Sequence, residues 1–139
     1  MKIFIAGSMT FAKEMLEAQK FLNSIGCETY VSPDTELCIE KPTLNMDEKH
    51  CFELDIMRAC MDIQEGCDAI LVLNHAKDKV SGYIGAHALM EMGLAYYLKQ
   101  KIFLLHPIPP KEQVRHAQEV MHMKPIILQG DISKIKEHL

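Results

Sequence analysis

The sequence predicts an α/β fold in which helices cover both faces of a five-stranded parallel sheet. Five short apolar runs alternate with helical patterns along the chain, which is the order that forms parallel sheets. Three of these runs are apolar without interruption, as expected for strands buried on both faces. The connections are mostly short, which favours right-handed crossovers. We therefore expect a single domain over residues 1–139, with a doubly wound, flavodoxin- or Rossmann-like sheet in the strand order 2-1-3-4-5.

The strands are predicted where β-branched and aromatic residues cluster between turn residues. They are Lys2–Ala6, Glu28–Val31, Ala69–Leu73, Ile102–Leu105 and Pro125–Leu128. In the predicted strand order, the direction of winding reverses between strands one and three. Ligands of such sheets bind in the crevice at the carboxyl ends of the strands at this point. The loops after strands one and three are therefore the first candidates for a binding site.

Helices are predicted where apolar residues recur every three or four positions. The predicted helices are Ala12–Ile25, Asp47–Glu65, Ala86–Lys99, Lys111–His122 and Ile132–His138. Gly26 and Gly66 are stop signals for the first two helices. The one long connection, Ser32–Met46, is expected to be a lid, a binding loop or a mobile segment.

Composition and motifs argue against several classes of function. The formal net charge is −4 and no basic cluster occurs, so a nucleic acid polymer is not expected as a partner. The run Val80–Leu98 is interrupted by glycines and by Glu91, so no membrane span is expected. Five cysteines without a C-x-x-C motif indicate reduced thiols in a cytoplasmic protein. No cofactor is expected because neither G-x-G-x-x-G nor a P-loop occurs, and no metal because His116 and His122 do not share a helix face.

Two loops are candidate binding elements. In Gly7-Ser8-Met9-Thr10, directly after strand one, glycine allows a sharp turn, and the free N–H groups of the next helix can hold a phosphate or sugar oxygen. Ser8 or Thr10 could instead act only as a helix cap. The second loop, Asn74–Gly85, leaves the carboxyl end of strand three and contains Tyr83 among glycines. Its sequence is also compatible with an ordinary surface loop.

Glu91 is the candidate for chemistry. It is the only acidic residue between Asp78 and Glu112, and it lies in a helix that is apolar on all sides. Such a helix is expected to be buried against the sheet, where an unpaired carboxylate costs several kcal/mol or stays protonated. His87 lies one turn earlier on the same face and could hydrogen bond with Glu91. A purely structural glutamate with a satisfied partner is the alternative.

Three segments, taken in order, resemble a known family. KIFIAGSM, CDAILVLN and SGYIGAHALMEMGLAYYLKQKIFLL are similar to the nucleoside 2-deoxyribosyltransferase-like family, which includes nucleoside 5′-monophosphate N-glycosidases. The resemblance spans roughly Met1–Pro107, with a divergent middle loop. Its most specific part is the helix motif Glu91-Met92-Gly93-Leu94-Ala95.

The resemblance implies an enzyme that breaks the N-glycosidic bond of a nucleoside or nucleotide. Glu91 matches the glutamate that attacks the anomeric carbon and forms a covalent glycosyl intermediate, as in a retaining glycosidase. Water or a second base then takes the sugar, so the reaction would be hydrolysis or transfer. The expected substrate-binding residues are Phe4, Gly7, Ser8, Met9, Asn74, Ser81, Gly82, Tyr83, Gly85 and His87.

Two positions depart from the family pattern. Phe4 stands where the family often has a tyrosine in strand one, and Cys60 stands where it often has an aspartate in the second helix. We therefore take Asp62 as the second catalytic residue. Asp55 or a residue of the Ser32–Met46 connection is the alternative source of this carboxylate, and a third alternative is that the chain has no second carboxylate.

Other functions remain open on the sequence alone. The same cleft could belong to a non-catalytic nucleotide-binding module or sensor, or to a different hydrolase or redox protein on this scaffold. The apolar character of Ala86–Leu98 and the resemblance both imply a homodimer or a larger homo-oligomer.

Overall fold

The computed structural model describes residues 1–139 and contains one five-stranded sheet in which all strands are parallel. Its strand order is β2-β1-β3-β4-β5, as the sequence predicted. The strands are β1 (Lys2–Ala6), β2 (Glu28–Tyr30), β3 (Ala69–Val72), β4 (Lys101–Leu104) and β5 (Ile126–Ile127). The predicted strands are each confirmed to within one residue at each end; β4 begins and ends one residue earlier than predicted, and only two residues of β5 pair with β4.

The sheet is buried on both faces. Alternate residues of β1 and β3 point to opposite sides, as the pleat requires. Phe4 and Ile70 belong to one apolar cluster, whereas Ile3 and Leu71 belong to the other. All of β3 is inaccessible to solvent, which explains why its sequence is continuously apolar rather than alternating.

Helices cover both faces of the sheet. They are α1 (Ala12–Ser24), α2 (Thr35–Glu40), α3 (Glu48–Glu53), α4 (Ile56–Glu65), α5 (Ala86–Tyr97) and α6 (Ala117–His122). Buried side chains of α4, α5 and α6 pack with Phe4 and Ile70, while those of α1 pack with Ile3 and Leu71 on the other face. The C-terminal segment Ile132–His138 packs on the α1 side through Ile135. No helix is both long enough and apolar enough to cross a lipid bilayer.

The structure corrects three predicted segments. The long connection Ser32–Met46 contains α2 and a 3₁₀ turn, Leu44–Met46, and so is not an irregular loop throughout. The predicted helix Asp47–Glu65 is two helices, because Asp55 adopts a left-handed conformation with φ of 43° between α3 and α4. In place of Lys111–His122 only α6 is α-helical. The final helix, Ile132–His138, is present over the predicted residues as a 3₁₀ helix. Hydrophobic periodicity alone does not reveal such breaks.

The turn after β1 depends on glycine. Gly7 has a φ of +151°, and a Cβ atom at this position would lie 3.1 Å from the Leu73 carbonyl oxygen and 3.2 Å from Met15 Cε. The chain therefore passes close to the end of β3 before entering the 3₁₀ turn Met9–Phe11 and α1. Since β1 lies between β2 and β3, this turn opens onto the point where the winding of the sheet reverses.

Candidate active site

A cavity of about 500 Å³ lies at the predicted crevice beyond β1. Its walls come from the end of β1 and the turn after it, from the connection after β2, from α3 and α4, and from the start of α5. Eight of the predicted site residues line it: Phe4, Gly7, Ser8, Met9, Tyr83, Gly85, His87 and Glu91. The structure thus brings together residues of the two predicted loops and the candidate catalytic glutamate in one concave space.

Four predicted residues do not line this cavity. Asp62 is exposed on α4, two residues beyond Cys60, which does line the cavity, and this step turns a side chain by about 200°. Ser81 is also exposed. Asn74 is fully buried, but its amide nitrogen donates to the His106 carbonyl at 2.9 Å and its Oδ1 accepts from the His106 N–H at 2.8 Å. Asn74 therefore ties the end of β3 to the segment after β4.

Gly82 has a packing role in this structure. Its φ is +69°, and a Cβ atom there would lie 2.4 Å from the Pro107 carbonyl oxygen. The backbone at this position must approach the segment after β4 more closely than any side chain allows. Together with Asn74, Gly82 holds the loop after β3 in the position that presents Tyr83 to the cavity.

Replacement of Gly82 by alanine is expected to lower the free energy of unfolding by about 3 kcal/mol, because it combines a left-handed backbone with a steric clash. Gly93→Ala is the matched control. Gly93 lies within α5 with nothing within 4 Å of its hypothetical Cβ, so alanine should stabilise the protein by up to about 1 kcal/mol. Urea unfolding measures both changes. Equal effects of the two variants would contradict the packing role of Gly82.

The Glu91 side chain is 7 % exposed and lies in the cavity wall on α5. Burial raises the pKa of this carboxyl group to about 8, because the ionised form loses its hydration. Its Oε1 atom lies 3.5 Å from Nε2 of His87, one helical turn earlier. The predicted proximity of these two side chains is therefore present, at a distance longer than a good hydrogen bond.

His87 does not form an ion pair with Glu91 at neutral pH. Burial lowers the pKa of His87, and the nearby Asp34 carboxylate only partly offsets this effect. A histidine with a lowered pKa and a glutamic acid with a raised pKa are both mostly uncharged at pH 7. The pair thus presents a neutral imidazole and a neutral carboxyl group to the cavity.

The connection after β2 supplies a second carboxylate to the cavity. Asp34 is 3 % exposed, and its Oδ1 accepts a hydrogen bond of 2.5 Å from the Ser32 hydroxyl. Its Oδ2 lies 3.0 Å from Nε2 of His50 on α3. Asp34 and Ser32 line the cavity, whereas His50 does not. The carboxylate is therefore fixed in orientation by two partners.

Asp55 also lines the cavity but is held differently. Its side chain is 60 % exposed and accepts a hydrogen bond of 3.1 Å from Arg58. Of the alternatives to Asp62, the Ser32–Met46 connection thus provides the more buried and better-positioned group, Asp34. The sequence could not select it, because the helix α2 that fixes the connection was not expected.

One edge of the cavity is cationic. The ammonium group of Lys77 donates to the Ser8 hydroxyl at 2.9 Å and lies 5.2 Å from the centre of the Tyr83 ring. Lys77 belongs to the predicted loop after β3 but was not singled out there, because a lysine in a polar loop gives no signal by itself. The contact joins the two predicted binding loops across the mouth of the crevice.

Cys60 also faces the cavity. The Sγ atom of Cys60 and one donor atom each of His87 and Glu91 lie within 4.8 Å of one another. Burial raises the pKa of the Cys60 thiol to about 11. Sequence reasoning treated Cys60 only as a departure from the family pattern and missed this cluster, because α4 and α5 are far apart along the chain.

No protein-family model matches the chain, and a search of curated proteins finds no significant sequence match. The resemblance of the motifs to nucleoside 2-deoxyribosyltransferase-like proteins therefore supports a hypothesis about function and does not establish membership.

Proposed function

We propose that this chain breaks the N-glycosidic bond of a nucleoside or nucleotide through a covalent glycosyl–Glu91 intermediate. The observation that carries the proposal is a nearly inaccessible carboxyl group in the wall of a cavity of about 500 Å³, at the reversal point of a doubly wound sheet. A nucleotide is of the size such a cavity accommodates. The lining combines apolar residues, which suit a base and a sugar ring, with a few polar groups at fixed positions.

The reaction requires the ionised form of Glu91. An oxygen of its carboxylate attacks the anomeric carbon, the bond from that carbon to the base nitrogen breaks, and its electron pair leaves with the base. Water then attacks the same carbon and releases the sugar, or a second base accepts it. The raised pKa of Glu91 does not prevent this chemistry. The ionised fraction lacks the hydration that would stabilise its charge, and this makes it a stronger nucleophile. The positive charge that develops on the sugar favours ionisation of Glu91 in the transition state.

Asp34 is the group we propose to protonate the departing base. It replaces Asp62 in this role because it lines the cavity together with Glu91, whereas Asp62 does not. In this step a proton moves from the Asp34 carboxyl group to the base nitrogen, and His50, whose Nε2 lies 3.0 Å from Asp34 Oδ2, returns a proton to Asp34. Asp34→Asn is expected to slow base release by roughly 10²-fold, a usual effect of losing a general acid.

The leaving group tests this role of Asp34. A nucleoside analogue whose base leaves readily without protonation should react with Asp34→Asn at nearly the wild-type rate. Glu36→Gln, on α2 and outside the cavity, is the control variant. An equal loss for good and poor leaving groups would assign Asp34 to substrate binding instead.

Lys77 and Ser8 are the groups we propose to hold a 5′-phosphate. A phosphate bound there gains a charge-assisted hydrogen bond from the ammonium group. Lys77→Ala should raise KM for a nucleoside 5′-monophosphate about 10–100-fold, the equivalent of about 1.5–3 kcal/mol for such a bond. KM for the corresponding nucleoside should stay nearly unchanged. Lys79→Ala, exposed on the same loop, is the control, and an equal change for both substrates would exclude a phosphate contact.

The decisive experiment for the function as a whole is a chromatographic screen. Nucleosides, deoxynucleosides and their 5′-monophosphates are incubated with the purified chain, with and without a second free base, and the products are separated. Base release without an acceptor indicates hydrolysis, and a new nucleoside indicates transfer. No release from the whole set by well-folded protein would overturn the proposal.

A non-catalytic nucleotide-binding module is the second candidate. It is favoured by the raised pKa of Glu91, which burial keeps protonated at neutral pH, and by Phe4, which places no hydroxyl group in the cavity. This function predicts that a nucleotide raises the melting temperature without being consumed. It also predicts that Glu91→Gln retains binding.

We further propose that the chain works as a homo-oligomer in the cytoplasm. Tyr96 and Tyr97 on α5 are 59 % and 81 % exposed, and Met90 is 44 % exposed, so this helix presents apolar surface that a second copy could cover. All five cysteines are free thiols, which suits a reducing compartment. A monomer by light scattering at micromolar concentration would contradict the oligomer.

A further inference from the structure

Cys60, His87 and Glu91 form a group of three different metal-ligand types on two helices. Cys60 lies on α4, while His87 and Glu91 are one turn apart on the same face of α5. One donor atom from each lies within 4.8 Å of the other two. All three residues line the cavity, so the space between the donors is open to a fourth ligand from solvent or substrate.

The separations are close to those of a tetrahedral zinc site. Zinc bonds of about 2.0–2.3 Å to nitrogen, oxygen and sulfur place neighbouring ligand atoms about 3.4–3.6 Å apart. Nε2 of His87 and Oε1 of Glu91 are already 3.5 Å apart. The Sγ atom of Cys60 lies within 4.8 Å of the other two donor atoms, so it is at most about 1.2 Å farther away than a tetrahedral zinc site requires.

The chemistry of these donors selects among metals. A thiolate together with an imidazole and a carboxylate suits a borderline-soft ion such as Zn²⁺ and does not suit Mg²⁺ or Ca²⁺, which take oxygen ligands. Three protein ligands with one open position are typical of zinc sites that exchange a water or a substrate atom. Binding releases the thiol and carboxyl protons to solvent.

We propose that Cys60, His87 and Glu91 bind one Zn²⁺ ion, which competes with the sugar for the Glu91 carboxylate. Metal binding itself does not depend on the proposed glycosyl chemistry, whereas its inhibitory consequence does. Zinc would hold the Glu91 oxygen that attacks the anomeric carbon, and it would occupy the space next to that oxygen. The cavity then has two exclusive states, one with metal and one with substrate.

Co²⁺ and Zn²⁺ are the probes for the binding step. The reduced chain, freed of metal by a chelator, is titrated with Co²⁺ and should show one equivalent with the near-ultraviolet charge-transfer absorption of a thiolate–cobalt bond. Zn²⁺ should abolish this absorption at one equivalent. Competition with a chromophoric chelator then measures Zn²⁺ affinity.

The variants locate the site. Cys60→Ser should lose the thiolate absorption and at least about 10–100-fold in Zn²⁺ affinity, the loss that even a supporting partner of a metal ligand causes. Cys67→Ser is the matched control, since Cys67 is also a buried thiol but donates to the Ile63 carbonyl outside the cavity. His87→Ala changes a residue in the first turn of α5 and provides a second variant should Cys60→Ser fold poorly. Absence of thiolate–cobalt absorption, or an unchanged affinity in both cavity variants, would overturn the site.

Inhibition is measured separately from binding. If base release is found, Zn²⁺ should raise KM for the nucleotide without lowering kcat, and a chelator should restore the original value. Cys60→Ser should require at least about tenfold more Zn²⁺ for the same effect. Metal binding without base release would refute the glycosyl chemistry and leave the zinc site standing, while base release that is insensitive to bound Zn²⁺ would refute the competition.

Discussion

Glu91→Gln is expected to lower the proposed base release by at least roughly 10³-fold, because an amide cannot form the glycosyl ester on which that proposed reaction depends. The change keeps the size and shape of the side chain within α5, so the cavity should persist. A nucleotide should still raise the melting temperature of the variant, since the other lining residues are intact. The measurement is initial-rate chromatography on the substrate that the screen identifies, together with thermal unfolding in its presence.

Glu65→Gln provides the control for this experiment. Glu65 ends α4 at an exposed position outside the cavity, and its loss should leave the rate unchanged. A covalent adduct on Glu91, trapped with a slowly hydrolysed 2-fluoro sugar and located by mass spectrometry, would support the intermediate directly. Base release by Glu91→Gln at more than a tenth of the wild-type rate would rule out Glu91 as the nucleophile.

The fold could be read from the sequence because its main determinants are local. Continuous apolar runs such as Ala69–Val72 encode strands with two buried faces, and the helical patterns between them leave little choice but parallel crossovers. The breaks were harder to predict. Asp55 adopts a left-handed conformation in the middle of an apolar periodic pattern. The start of α2 is held by two hydrogen bonds of Ser32: its hydroxyl donates to Asp34, and its carbonyl accepts from the Thr35 hydroxyl.

The candidate site was only partly predictable for the same reason. Residues next to strand ends, such as Gly7 and Ser8, take their place from the sheet itself, and the crevice rule finds them. Asp34 and Lys77 reach the cavity through connections whose paths are fixed by tertiary contacts. Gly82 was expected to bind substrate, but in the structure this glycine allows two backbone segments to pack closely next to the site. Sequence position therefore indicated the cavity better than it identified the chemistry of each side chain.

Glu91 is also expected to make the stability of the protein depend on pH. In the unfolded chain its pKa is that of an ordinary glutamate, 4.5, whereas burial raises the folded value to about 8. The folded state therefore holds the proton more tightly. Stability contributed by the neutral carboxyl group is fully present below pH 4.5 and is lost progressively as the pH rises towards 8. At pH 7 the cost amounts to about 3 kcal/mol relative to a side chain that never ionises.

Glu91→Gln should remove this dependence. Relative to wild type, the free energy of unfolding of the variant should rise by about 3 kcal/mol between pH 5 and pH 8, because only the wild type gains an ionised Glu91 on unfolding in this range. Urea unfolding at four pH values in this range measures the difference, and the remaining titrating groups are common to both proteins. Titration of His87 does not contribute to the difference in the upper half of this pH range, because burial lowers its pKa and the imidazole is already neutral there. A difference that stays constant from pH 5 to pH 8 would mean that Glu91 ionises in the folded protein as freely as in water. The same amide that removes the proposed nucleophile should thus stabilise the fold, which is the trade-off expected where a buried carboxylate serves function at the expense of stability.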